Sequence, residues 1–173
     1  MKRFIKRLVA LVPIVVVLVL LVVLASPVSA LTTADVAVNA TPSYVTITNA
    51  PDNYGFGTVL VSTNTSTAVG YFTITNGSSV AIDIAISCNA TWAGGNGWTH
   101  SDTGTPASTT AALYSTPNTV AWNIIVKNAT PNNLVAGLAA STNQAWGLRL
   151  MSPTVYDDGV LKTNTVTLTA TAT

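Results

Sequence analysis

Val80-Ala-Ile-Asp-Ile-Ala-Ile-Ser-Cys88 decides the fold class of this chain. Val80, Ile82, Ile84, Ile86 and Cys88 occupy alternate places, with Ala81, Asp83, Ala85 and Ser87 between them. Side chains of an extended strand point alternately to opposite faces, so this run has one apolar face and predicts a long half-buried strand. The same period recurs further along. Val120, Trp122, Ile124 and Val126 alternate with Ala121, Asn123, Ile125 and Lys127. Trp146, Leu148 and Leu150 alternate with Ala145, Gly147 and Arg149. Val166, Leu168, Ala170 and Ala172 alternate with five threonines from Thr165 to Thr173. Shorter strands are expected at Val36–Asn39, Tyr44–Asn49, Gly57–Val61 and Gly70–Thr75, and no stretch of the mature part carries a helical pattern.

Turn chemistry falls between these runs. Asn76-Gly77 reads as a tight hairpin, and Asp158-Gly159 as another between Pro153–Tyr156 and the last strand. Pro42, Pro51, Pro106, Pro117, Pro131 and Pro153 fall at expected strand edges or in loops, where a missing N–H does no harm. The longest irregular stretch runs from Asn89 to Ala111. The expectation is an all-β, antiparallel, immunoglobulin-like β-sandwich of about 7–9 strands.

The first thirty residues differ in kind. Lys2, Arg3, Lys6 and Arg7 precede the apolar run Leu8–Ala25, and Ser26-Pro27-Val28-Ser29-Ala30 ends in a small-x-small pattern. This is the signature of a secretory signal peptide, with cleavage expected after Ala30. Eighteen helical residues would rise about 27 Å, close to a hydrocarbon core, so an uncleaved anchor helix is the alternative. The expected organisation is a leader over residues 1–30 and one β-sandwich domain over 31–173, secreted or at the cell surface. Membrane contact is then expected only through the N-terminal segment, if that segment is uncleaved.

Without the leader, Lys127, Arg149 and Lys162 stand against six Asp, a net charge of −3. There is no Glu and no basic patch, which argues against nucleic-acid binding. Cys88 is the single cysteine, excluding an intrachain disulfide; it is expected on an apolar strand face.

Tyr54-Gly-Phe-Gly-Thr-Val followed by Gly70-Tyr-Phe-Thr-Ile-Thr-Asn-Gly-Ser-Ser-Val-Ala-Ile resembles the immunoglobulin-like modules of the ASPM–SPD-2–Hydin type and the related choice-of-anchor D surface modules. The matching residues are Phe56, Gly57, Val59, Phe72, Thr73, Ile74, Thr75, Asn76, Ser78 and Ile82, within residues 54–86. The resemblance implies a binding or spacer domain and brings no catalytic residues with it.

The chemistry-bearing residues are few. His100-Ser101-Asp102 holds the residue types of a hydrolase triad, but adjacent residues cannot converge as a triad must, and no Gly-x-Ser-x-Gly elbow is present. Six scattered Asp without Glu do not suit glycoside hydrolysis. One His and one Cys cannot hold zinc. Asp157 and Asp158 are weak calcium candidates, with Asp52, Asn53, Asn96 and Asp102 as conceivable helpers; the competing reading is turn residues. Trp92 and Trp98 could stack on sugars with His100 and Asp102 bonding hydroxyls, or fold back over the end of the sandwich. Trp122 and Trp146 are expected in the core. Asn39, Asn64, Asn76, Asn89 and Asn128 begin Asn-x-Ser/Thr triplets. A chain this rich in Ser, Thr and Asn gives about four by chance.

Together these features point to a non-enzymatic exported structural or interaction module with no cofactor. Its partners are other surface proteins or copies of itself, and its sharper form is a self-assembling subunit. Leu31–Ala40, with Val36 and Val38, would then pair with a neighbour's sheet edge, or else form the first strand of its own sheet. The alternative is a carbohydrate-binding module using the Trp92/Trp98 loop, with glycans as partners.

Overall fold

The computed structural model describes residues 37, 39–117, 121–155 and 158–173. The chain divides into two compact units, Met1–Ala40 and Thr41–Thr173, and every described strand lies in the second. The leader, the Val36–Asn39 strand, Val120, Tyr156 and Asp157 lie wholly or partly outside the described residues.

Ten strands and no helix occur among the described residues, arranged as a β-sandwich-like fold of two sheets. In chain order they are β1 (Ile47–Ala50), β2 (Asn64–Ser66), β3 (Phe72–Asn76), β4 (Ile82–Cys88), β5 (Thr99–His100), β6 (Thr110–Pro117), β7 (Ile124–Ile125), β8 (Asn132–Leu138), β9 (Asn143–Met151) and β10 (Val166–Ala172). The larger sheet runs β1-β3-β9-β6-β5. β2 continues alongside β9 past the end of β3, and β7 lies beside β6. The smaller sheet is β10-β4-β8, antiparallel throughout.

β4 shows why this sequence folds so. Ile82, Ile84 and Ile86 are fully buried and Cys88 nearly so, while Asp83, Ala85 and Ser87 are only half-buried. Each such isoleucine stabilises the fold by roughly 1.5–3 kcal/mol relative to exposure. Facing them are Phe72 and Ile74 of β3, Leu113 of β6, and Trp146, Leu148 and Leu150 of β9. Trp146 stacks on Phe72 with centroids 4.6 Å apart, and its indole N–H donates to Asn49 Oδ1 at 2.8 Å.

Several local expectations are corrected. Asn76-Gly77 is not a tight hairpin, because β3 belongs to the larger sheet and β4 to the smaller, so the chain crosses between layers here. Asn76 is fully buried and works as a tertiary tie. Its amide donates to the carbonyls of Val80 (3.1 Å), Leu138 (2.8 Å) and Ala139 (3.0 Å), and its Oδ1 accepts from the Ser78 N–H at 2.8 Å. One side chain thus binds the β3–β4 crossing to the β8–β9 crossing. Asp158-Gly159 likewise lies on a crossing, from β9 to β10. Gly57–Val61 is not a strand; Gly57 has φ +69°, outside the extended region. Among its described residues the run expected around Trp122 forms a strand only at Ile124–Ile125. Trp122 is half-buried rather than core, with the Arg149 guanidinium carbon 4.9 Å from its ring centroid.

Candidate functional site

Among the described residues β10 is the edge of the smaller sheet and pairs only with β4. The Thr173 N–H donates to the Ala81 carbonyl, and the Asn89 N–H to the Thr165 carbonyl. In an antiparallel ladder such residues alternate. The backbone groups of the odd residues therefore face β4, and those of Val166, Leu168, Ala170 and Ala172 face outward. Proteins usually blunt such an edge with charge, proline, a bulge or short length. β10 has none of these: Val-Thr-Leu-Thr-Ala-Thr-Ala is seven residues, uncharged, and in unbroken register with β4. The other ends of the two sheets are short or irregular, and β5 has only two residues. β8 shifts register twice against β4, and the short β1 is followed by Pro51.

The inward side chains of β10 are only half-buried, because they border an open cleft between the two sheets. The cleft has a volume of about 1180 Å³. Ile47, Phe72, Trp146 and Leu148 line it from the larger sheet, and Val166 and Leu168 from β10. Tyr54, Phe56 and Val59 lay half-buried side chains against the core along the same cleft. Tyr54 meets Phe56 and Tyr71 edge-on at 5.0 and 4.8 Å. At the rim Leu161 is 79% exposed and Val160 50%. Apolar surface gathered beside bare strand edge is the chemistry of strand addition, in which ladder bonds give affinity and side-chain pockets give register.

One wall of the cleft is the tryptophan arch. The Trp92 N–H donates to the Trp98 carbonyl at 2.7 Å and the His100 N–H to the Ala90 carbonyl at 2.8 Å, closing the arch at its base. Its tip is tied to the segment entering β10. The Ala93 and Thr163 backbones exchange bonds of 2.8 and 2.9 Å, and Lys162 Nζ donates to the Gly94 carbonyl at 2.8 Å. Asp158 completes the clasp. Its carboxylate accepts from Lys162 Nζ at 2.8 Å, from the Asn96 N–H at 2.7 Å and from the Val160 N–H at 3.0 Å. These donors hold the carboxyl down to about 2, the Lys162 bond first among them.

The arch does not present the tryptophans as a sugar platform. Trp92 and Trp98 are only 6% and 7% exposed, and their rings are tilted 59° to each other. Both line the cleft, and both indole N–H groups are buried without an acceptor among the described residues. An orphaned buried donor costs about 1–3 kcal/mol.

His100, Ser101 and Asp102 are each taken up structurally. His100 Nε2 lies 2.6 Å from the Val126 carbonyl, which can only accept, so Nε2 carries the proton. Ser101 Oγ accepts from the Thr105 N–H at 3.1 Å, and Asp102 accepts from the N–H groups of Asn128 (2.6 Å) and Ala129 (3.2 Å). The thiol of buried Cys88 donates to the same Val126 carbonyl at 3.8 Å. Burial first, and then the Asp102 charge, pushes it up to about 12, which suits an inert thiol. As for calcium, the clasp uses both oxygens of Asp158, and no cluster of three or more His, Cys, Asp or Glu forms a cation site among the described residues.

Burial also lowers His100 below its ordinary 6.5, outweighing the Val126 bond and the Asp102 charge. Below that pH the unfolded chain gains a proton that the folded chain refuses, so stability must fall with pH. A slope of up to about 1.4 kcal/mol per pH unit is expected below 6.5. Urea titrations at stepped pH should show it, and His100→Gln should remove it. Asp158 gives a second decline of the same sign as pH falls from 3.8 toward 2, which Asp158→Asn should abolish.

The structure therefore gathers Trp92 and Trp98 at one end of the cleft and puts His100 and Asp102 to internal use. The cleft itself has no single-residue signature in the sequence. No protein-family model matches this chain, and no curated protein matches it.

Proposed function

We propose that this chain is a non-enzymatic, exported structural or interaction module that associates by adding a β-strand to its β10 edge. The observation carrying this reading is the seven-residue, uncharged β10, with no described strand along its outer side, over an open apolar cleft. The basic–apolar–small leader supports export, to the medium or the cell surface. An immunoglobulin-like sandwich, as the resemblance over residues 54–86 implies, suits a binding or spacer role. Internal use of His100, Ser101, Asp102 and Cys88 supports a role without catalysis.

Native mass measurement and electron microscopy of the chain beginning at Leu31 test the proposal, with assemblies as the expected result. Ala170→Pro removes one outward N–H and leaves the alternate residues that bond β4 untouched. It should abolish assembly while the chain stays folded by circular dichroism. A protein that stays monomeric at high concentration, or assemblies indifferent to Ala170→Pro, would sink the reading.

A further inference from the structure

We infer that the strand received at β10 is the N-terminal arm, residues 31–40, of a second copy of this chain. The inference rests on the strand-addition reading above and names its partner. The arm offers a matching pattern: Ala34, Val36, Val38 and Ala40 on one set of alternate places, with Asp35, Ala37 and Asn39 on the other. Its apolar set is small and β-branched, suited to a cleft whose walls already carry Phe72, Trp146 and Leu168. Ten extended residues span about 33 Å, more than the seven residues of β10 require.

The geometry of the next residues favours a second copy over the arm's own domain. Thr41–Thr46 are all exposed. Tyr44 and Thr46 are pinned to the turn after β3: the Ser79 N–H donates to the Tyr44 carbonyl and the Gly77 N–H to the Thr46 carbonyl. That turn leads to Ala81 and Ile82, which lie beside Thr173 and Ala172 at the C-terminal end of β10. Ala40 can be at most about 14 Å of chain from Tyr44. An arm folded onto its own β10 would thus arrive at that end and run parallel to it. A neighbour's arm is free to run antiparallel, the slightly stronger pairing. Arm and cleft are different surfaces, so the contact is head-to-tail and gives open filaments or closed rings.

Two variants of the chain beginning at Leu31, Ala37→Cys and Thr169→Cys, each with one added cysteine, test this when mixed and treated with a short bis-maleimide. Cys88 is left in place because it is buried. The expected product is a covalent dimer joining one variant to the other, in excess of either homodimer. Val36→Asp with Val38→Asp, placing charges where the cleft is apolar, should reduce it about tenfold or more. If the double variant Ala37→Cys/Thr169→Cys instead closes on itself as a monomer, the arm belongs to its own domain and the inference fails. If assemblies form and respond to Ala170→Pro but give no mixed product, another strand fills the cleft: the arm is ruled out and strand addition stands. If no assemblies form, both fail together.

Discussion

Asn76→Ala should lower the stability of the β-domain by about 3–4 kcal/mol, a shift in Tm on the order of 10 °C for a domain of this size. The substitution removes a fully buried side chain that donates to three carbonyls and accepts one N–H. The Leu138 carbonyl and the Ser78 N–H are left in buried surroundings without those bonds, each costing about 1–3 kcal/mol. The loss also unties two crossings at once, because Val80 follows β3 while Leu138 ends β8 and Ala139 follows it. Urea unfolding by circular dichroism measures the effect, with the slope unchanged if the unfolded state is unaffected. Asn76→Asp keeps the acceptor for Ser78 but sets a negative charge against three carbonyls, and should be no better tolerated than alanine. A loss below about 1 kcal/mol for both would mean that water replaces the tie and that the corner holds without it.

The same residue shows what could be read from the sequence and what could not. Asn-Gly carries the local chemistry of a two-residue hairpin, and nothing nearby announces that the amide faces inward toward carbonyls about sixty residues away. β4 and β10 were legible because each has one face toward the core and one away, so burial writes a period of two into the side chains, and β9 was legible through the large apolar residues at alternate places, Trp146, Leu148 and Leu150, although Gly147 between them is buried too. β6 was not. Ala111, Ala112 and Leu113 are buried in succession, and Ser115 and Thr116 are fully buried polar residues, so no alternation marks a central strand covered on both sides. β8 was lost to its register shifts and to Gly137 at φ +63°. Among site residues, the inward fold of Trp92 and Trp98 was one of two readings that the sequence kept open. The cleft was legible only in part. The pattern of β10 names its inward residues, Val166, Leu168 and Ala170, but that no described strand covers its outer side is a fact of topology.

Gly94→Ala should cost about 2–4 kcal/mol, concentrated in the wall of the cleft. Gly94 has φ +109°, which side chains rarely adopt, and a Cβ there would lie 2.0 Å from the Leu161 carbonyl oxygen. That oxygen is backbone and cannot swing aside, so the arch and the segment entering β10 must separate. Separation strains the paired bonds between Ala93 and Thr163 and the bond from Lys162 to the Gly94 carbonyl. Gly55→Ala is the matched control: nothing lies within 4 Å of its Cβ and its φ is ordinary, so it should be neutral or slightly stabilising. Hydrogen exchange separates local from global effects. Gly94→Ala should speed exchange at Trp92, Ala93 and Thr163 well before the β4 amides respond, since β4 is held on both sides by β10 and β8. Because Val160 and Leu161 form the rim of the cleft, loosening them should also weaken strand addition at β10. Uniform acceleration across β4 and the arch would show that the clasp is part of the global folding unit. Unchanged exchange with intact assembly would show that the arch gives way without cost and does not shape the cleft.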